Sequence, residues 1–233
     1  MSPRPDAVRR LASSLDELQR SSGPPPPFPH VDPLHQILHE NVAYLVDDRR
    51  REEAFAGLRE RVGLEPAAIL AAPVATLREI AGLGGMLPDQ RVGKLLRIAE
   101  LALRHFPHGL REVLTRPGAE ARKALMRFPG IGEPGAEKIL LFSGAQPVLA
   151  LDSNGLRVLL RLGYGEAHKS YSASYRSAQT AASAELPREC HGLQRAHLLL
   201  RRHGQQTCKR SRPLCGGCPL RGVCPYYAKG SPR

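Results

Sequence analysis

The chain of 233 residues has no tryptophan, five phenylalanines, six tyrosines and three methionines. Any stacking on a nucleobase must therefore do without an indole ring. No apolar run is long enough to cross a membrane, and the N-terminal stretch lacks the apolar core of a secretory signal. Both absences point to a cytoplasmic, nucleoid-associated protein. Acidic residues are in short supply, with 22 Asp+Glu against 34 Lys+Arg and a formal net charge of +12. A surplus of that size predicts attraction to a polyanion, with affinity that falls as salt rises. Alternating strand patterns and internal repeats are also missing, so the fold class expected is all-α. Five cysteines in a reducing compartment argue for a metal centre rather than disulfides.

What is present is a series of helical patterns. Val8, Leu11, Leu15 and Leu18 mark an amphipathic helix within Ser2–Arg20, which Ser21-Ser22-Gly23 and Pro24 to Pro27 end in a stiff linker. Asp32-Pro33 reads as an N-cap with proline at the first helical position. The helix after it carries Leu34, Ile37, Leu38, Val42 and Leu45 on one stripe, to about Val46. Further helices are expected around Ala54–Leu58, from Pro66, over Pro73–Ala81 and over Gln90–Phe106, with a turn at Gly82–Gly85. Shorter ones follow at Arg111–Thr115 and Ala119–Arg127. Beyond residue 150 the pattern predicts helices at Gly155–Leu162, Ser174–Glu185 and Leu193–His203.

The stretch Phe128–Asp152 organises the rest. Gly130-Ile131-Gly132 makes a tight turn that opens an apolar helix from Pro134 to Phe142. A G-x-G turn at a helix N-terminus converges backbone N–H groups on one point and favours an anion there. Gly130, Ile131 and Gly132 are the expected phosphate clamp, with Lys138 as a further phosphate contact. Val148-Leu149-Ala150-Leu151 then leads to one carboxylate, Asp152, twenty residues past Gly132. Asp152 also reads as an N-cap for the helix that follows.

Cys208, Cys215, Cys218 and Cys224 fall in C-x6-C-x2-C-x5-C order within seventeen residues. Four thiolates so close suit zinc or an iron–sulfur cluster. Lys209, Arg210 and Arg212 lie between the first two and would project positive charge from a loop the metal holds, towards DNA phosphates. Cys190 stands outside the pattern and reads as an ordinary thiol.

Leu125–Phe142 resembles the helix-hairpin-helix of the DNA glycosylases, and Leu151-Asp152-Ser153-Asn154 with Arg157-Val158 resembles their aspartate motif. The cysteine spacing resembles the cluster loop of the endonuclease III and MutY-like groups. The resemblance covers roughly Val31 to Cys224. It implies a two-lobed fold: a six-helix barrel domain with the hairpin at 31–146, and a discontinuous iron–sulfur cluster domain at 1–30 and 147–233. It implies one 4Fe–4S cluster, and a monomer that binds double-stranded DNA with a damaged or mismatched base. Asp152 matches the catalytic aspartate, which stabilises positive charge on the sugar as the bond to a flipped base breaks. Where bifunctional relatives carry a lyase lysine, two residues past the second hairpin glycine, this chain has Pro134. Lys138, about 6 Å further along the helix, is a poor substitute, so a monofunctional glycosylase is expected. Glu40 looks like the catalytic glutamate of the MutY-type enzymes, with His39 a competing acid or base. Tyr44 and Leu45 fall where relatives carry side chains that plug the duplex after flipping. The nine residues after Cys224 leave no room for the domain with which MutY-type enzymes read 8-oxoguanine. The base excised is not named by these residues. A non-catalytic DNA-binding paralogue, an electron-transfer iron–sulfur protein and a bifunctional lyase using another amine are the alternatives.

Overall fold

A computed structural model describes residues 10–230. Ser2, Val8 and Arg9, part of the first expected helix, lie outside the described residues. Among those described there are helices and turns but no strand; one isolated bridge pairs Tyr44 with Gly85. None of the helices is long and apolar enough to cross a membrane. The chain divides into two compact units, Phe28–Ala145 and the described residues of Met1–Pro27 with Gln146–Arg233.

In the continuous unit the helices are α2 (Pro33–Val42), α3 (Asp48–Arg61), α4 (Pro66–Ala71), α5 (Val74–Leu83), α6 (Pro88–His105), α7 (Gly118–Leu125) and α8 (Glu133–Phe142), with a 3-10 helix at Leu110–Thr115. Asp32 caps α2 as its sequence suggests: Oδ1 accepts from the N–H groups of Leu34 at 2.9 Å and His35 at 3.3 Å. Asp47 caps α3 in the same way, accepting from Arg50 N–H. One apolar cluster holds the unit together, with Ile37, Leu38, Leu58, Leu77, Ile80, Leu95, Ile98, Leu125 and Leu140 fully buried. Burying a side chain of this size contributes about 1.5–3 kcal/mol.

The helix from Asp32 ends earlier than expected. It stops at Val42, and Ala43 and Tyr44 turn extended because Tyr44 N–H donates to Gly84 O at 2.9 Å. Leu45 is therefore not on the buried stripe. It lies 73% exposed in the left-handed region, with φ +54°. Gly84 makes this close approach possible, since a methyl group there would sit 2.3 Å from Val42 O. Gly84→Ala is expected to lower stability by about 1–3 kcal/mol, as read by the midpoint of chemical denaturation.

The second unit contains α1 (Arg10–Ser22), α9 (Ser153–Leu162), α10 (Tyr171–Ser183), α11 (Cys190–Gln206) and the short α12 (Pro225–Ala228). Leu11, Leu15 and Leu18 are buried. Arg195 anchors α1 through Asp16 at 2.7 Å and Gln19 at 2.6 Å, and Arg202 donates to Gly23 O and Pro24 O. The first helix thus docks on α11.

Candidate active site and nucleic-acid interface

Gly130 adopts φ +73°, which glycine tolerates without a Cβ penalty. Space demands glycine there as well, because an added methyl would meet Asn41 Oδ1 at 2.7 Å. Asn41 is buried and donates to Ile37 O and Pro129 O, each at 2.9 Å, so it fastens the hairpin turn to α2. Ile131 packs its side chain into the core and its N–H donates to Phe128 O at 3.2 Å. Its side chain and N–H are thus both engaged, and Ile131 offers no free donor to an anion. Gly132 begins α8 and no side chain caps that helix; Pro134 occupies its first turn. An uncapped N-terminus leaves partial positive charge facing outward.

Lys138 is not an open phosphate contact. Its Nζ donates to Glu40 Oε1 at 2.6 Å and lies 4.8 Å above the Phe28 ring. Burial disfavours the Glu40 carboxylate, yet Lys138, then Arg51 and His39, outweigh it and hold its pKa at about 2. Glu40 is therefore an anion at neutral pH and no proton donor. A depressed carboxyl pKa contributes stability that is complete above its ordinary value of 4.5 and is lost as pH falls towards 2. With side chains 33% and 20% exposed, solvent screening reduces the pair's contribution to about 1–2 kcal/mol. Glu40→Gln should remove this part of the acid sensitivity between pH 4.5 and 2, measured by denaturation at a series of pH values.

His39, beside Glu40, is buried and points its Nε2 at Glu52 Oε1, 2.7 Å away. Arg51 donates to the carbonyls of His39, Glu40 and Ala43, which closes the C-terminus of α2.

Tyr44 is 51% exposed beside Leu45. The bridge to Gly85 brings a second loop against them, and that loop exposes Met86 and Leu87, the latter also left-handed at φ +57°. Arg91 is buried beneath and donates to Ala81 O and to Gly85 O, the latter at 2.7 Å. Four apolar side chains thus stand in water on two short loops with strained residues. Met86 and Leu87 escaped the sequence reading; the double glycine before them was the available signal.

In the second unit, Asp152 is the N-cap of α9. Oδ1 accepts from Gly155 N–H at 2.7 Å, while Oδ2 accepts from Asn154 Nδ2 at 3.0 Å and lies 3.4 Å from Arg201 Nε. The side chain is 28% exposed. The chain leading to it is fixed from three directions. Gln179 donates to Leu149 O, His197 Nδ1 contacts Ala150 O at 2.8 Å, and Leu151 N–H donates to the Tyr175 hydroxyl. Asp152 is held rigidly with one face towards solvent.

Two arginines tie α9 to the cysteine loop. Arg157 donates to Asn154 Oδ1 and Gly204 O, both at 2.8 Å, and to Cys208 O at 2.9 Å. Arg161 donates to Lys209 O at 2.8 Å and Arg210 O at 3.1 Å, and reaches Cys208 Sγ at 3.3 Å while stacking over Tyr226. Lys209, Arg210 and Arg212 are exposed beyond this anchor. Cys208, Cys215, Cys218 and Cys224 line a single cavity with His203 and Leu220. Burial first, then the neighbouring cysteines, raises the Cys218 thiol pKa. Among the described residues the trio of potential ligand atoms found within 4.8 Å of one another is His30, His39 and Glu52. Four cysteines on one cavity are a donor set that suits zinc or an iron–sulfur cluster. Cys190 lies on α11, away from the loop's pattern, with its pKa raised by burial and by Glu189.

An "Endonuclease III" of Sulfolobus acidocaldarius is 29% identical over 200 residues, 83% of this chain and 80% of that protein. Among solved structures, a trapped endonuclease III–DNA covalent intermediate superposes with a TM-score of 0.75 at 18% identity, covering 95% of this chain and 97% of the other. A thermostable thymine-DNA glycosylase superposes at 0.74 and 18% identity, covering 96% and 98%. No family model matches.

Proposed function

We propose that this chain is a monofunctional DNA N-glycosylase of base excision repair, of the endonuclease III-like branch of the helix-hairpin-helix DNA glycosylase superfamily. Its substrate on this reading is double-stranded DNA carrying a damaged or mismatched base, and it acts as a monomer at the nucleoid. Water adds to C1′ of the flipped nucleotide, the C1′–N bond breaks, and the base departs with the bonding electrons and takes up a proton. An abasic site remains.

Asp152 carries the proposal. Its carboxylate is fixed by the helix cap and partly exposed, so it can face the positive charge that develops on the sugar without reorganising. Glu40, ionised by Lys138, would orient water as an anion or base instead of protonating the base. The Gly130 and Gly132 backbone would hold phosphate, and Lys209, Arg210 and Arg212 would add phosphate contacts. Tyr44, Leu45, Met86 and Leu87 would fill the space the base leaves. The monofunctional reading rests on Pro134, which has no amine, and on the ion pair that engages Lys138. On this reading the Phe28–Ala145 unit would be the six-helix barrel and the other unit the cluster domain.

Cys208, Cys215, Cys218 and Cys224 would hold one 4Fe–4S cluster, which when bound fixes the loop that presents the basic residues. The protein should purify with about four irons per chain and broad visible absorption. Cys215→Ser should lose both and weaken DNA binding, read by iron analysis and fluorescence anisotropy. The function itself is tested by cleavage of lesion-bearing duplexes, split and read with and without alkali. Breaks that need alkali are expected.

A further inference from the structure

We propose that His30, His39 and Glu52 form a site for one divalent transition-metal ion of the zinc type, bound through two imidazole nitrogens and a carboxylate oxygen. His30 precedes α2, His39 lies on α2 and Glu52 on α3, so three separate segments aim a donor at one point. The ligand atoms all lie within 4.8 Å of one another. His39 Nε2 is 2.7 Å from Glu52 Oε1 and His30 Nε2 is 3.2 Å from Oε2. Two nitrogens and a carboxylate are a donor set that zinc and its neighbours accept, with room left for water.

The geometry needs little adjustment. Metal–donor distances of about 2.0–2.2 Å place tetrahedral donors about 3.3 Å apart. Each imidazole now faces its own carboxylate oxygen, His30 Nε2 at 3.2 Å from Oε2 and His39 Nε2 at 2.7 Å from Oε1. The Glu52 side chain, 50% exposed, must rotate to present one oxygen to an ion held by both rings.

The imidazoles themselves are held in place. Their side chains are 9% and 6% exposed, and their ring centroids lie 4.6 Å apart. Phe28 and Phe55 each pack against both rings, at 4.6–6.0 Å. His39 Nδ1 is buried with no hydrogen-bond partner, so the ring's polar engagement is all at the Nε2 end. An apolar wall behind and one exposed carboxylate in front give a metal both a preorganised seat and an entry path. The ion would tie the segment carrying Phe28 to α2 and α3. Since Lys138, the partner of Glu40, lies over the Phe28 ring of that same segment, the ion would also steady their pair. The site does not depend on the glycosylase reading.

The test uses the full chain as purified, stripped of loosely held metal on a chelating resin, with iron and zinc counted in the same sample. Zinc is then titrated calorimetrically into wild type, Glu52→Gln and, as a control on the same helix, Glu60→Gln. One equivalent of zinc beyond any present is expected for wild type and the control, with affinity about 100-fold lower or worse in Glu52→Gln. His30→Gln, checked for folding by circular dichroism, should behave like Glu52→Gln. No uptake by wild type overturns the proposal. So does uptake unchanged in Glu52→Gln, which would put the zinc elsewhere, at the cysteines for instance.

Discussion

The Asp152→Asn protein is expected to bind lesion-bearing duplex with unchanged affinity and to cleave it about 10²–10³ times more slowly, a loss of about 2.7–4 kcal/mol of transition-state stabilisation. The two halves of this expectation come from different oxygens of one side chain. Oδ1 serves structure by accepting from Gly155 N–H at the start of α9. Asparagine caps helices as well as aspartate does, so the fold and its DNA contacts survive. Its amide brings no negative charge to the sugar, and the charge is what the reaction uses. Binding and single-turnover cleavage, measured on the same preparation, separate the two roles. Equal loss in both would mean that Asp152 is only a cap.

Wild-type protein incubated with abasic DNA and borohydride is expected to give no covalent adduct, and Pro134→Lys to give one. An adduct requires a neutral primary amine that attacks the sugar aldehyde to form an imine, which borohydride then reduces. Pro134 offers none. Lys138 is engaged in an ion pair with the Glu40 carboxylate, 2.6 Å away. A lysine at position 134 would sit in the uncapped first turn of α8. The positive end of the helix dipole disfavours an ammonium there and so favours the reactive amine. Denaturing electrophoresis of labelled DNA reads the outcome. An adduct with wild type that disappears in Lys138→Met would show that Lys138 leaves its partner and acts as a lyase.

The all-helical fold was legible because periodic apolar residues and caps agreed. Asp32-Pro33 and Asp152 each mark a helix start, and each accepts the backbone bonds expected of it. Tertiary contacts decided where the reading slipped. Leu45 continues the α2 stripe in sequence, but the approach of Gly84 to Val42 and Tyr44 pulls the chain out of the helix three residues earlier. That encounter spans forty residues and has no local signature. The same holds for the exposed Met86 and Leu87, which matter only because a bridge sets them beside Tyr44.

The candidate site divides similarly. Asp152, the hairpin glycines and the four cysteines stand in short motifs whose spacing reflects their chemistry. The partner of Lys138 is Glu40, 98 residues away, and no spacing rule links them. The same distance effect hid the trio of His30, His39 and Glu52, whose members look in sequence like unrelated surface or core residues. Arg157 and Arg161 fall on one face of α9, a helical spacing any amphipathic helix would show. Their bonds to the backbone of residues 204–210 depend on α11 returning the chain to that face.

One measurement bears most directly on the proposed function. Labelled duplexes carrying thymine glycol, uracil opposite guanine, adenine opposite 8-oxoguanine, or an abasic site are incubated with wild type and Asp152→Asn. Each reaction is divided and resolved with and without alkali. A monofunctional glycosylase should cleave at one or more of the bases only after alkali, leave the abasic duplex unbroken without it, and lose the activity in the mutant. Duplexes that are bound but never cleaved would contradict the enzyme, and strand breaks without alkali would contradict the reading of Pro134.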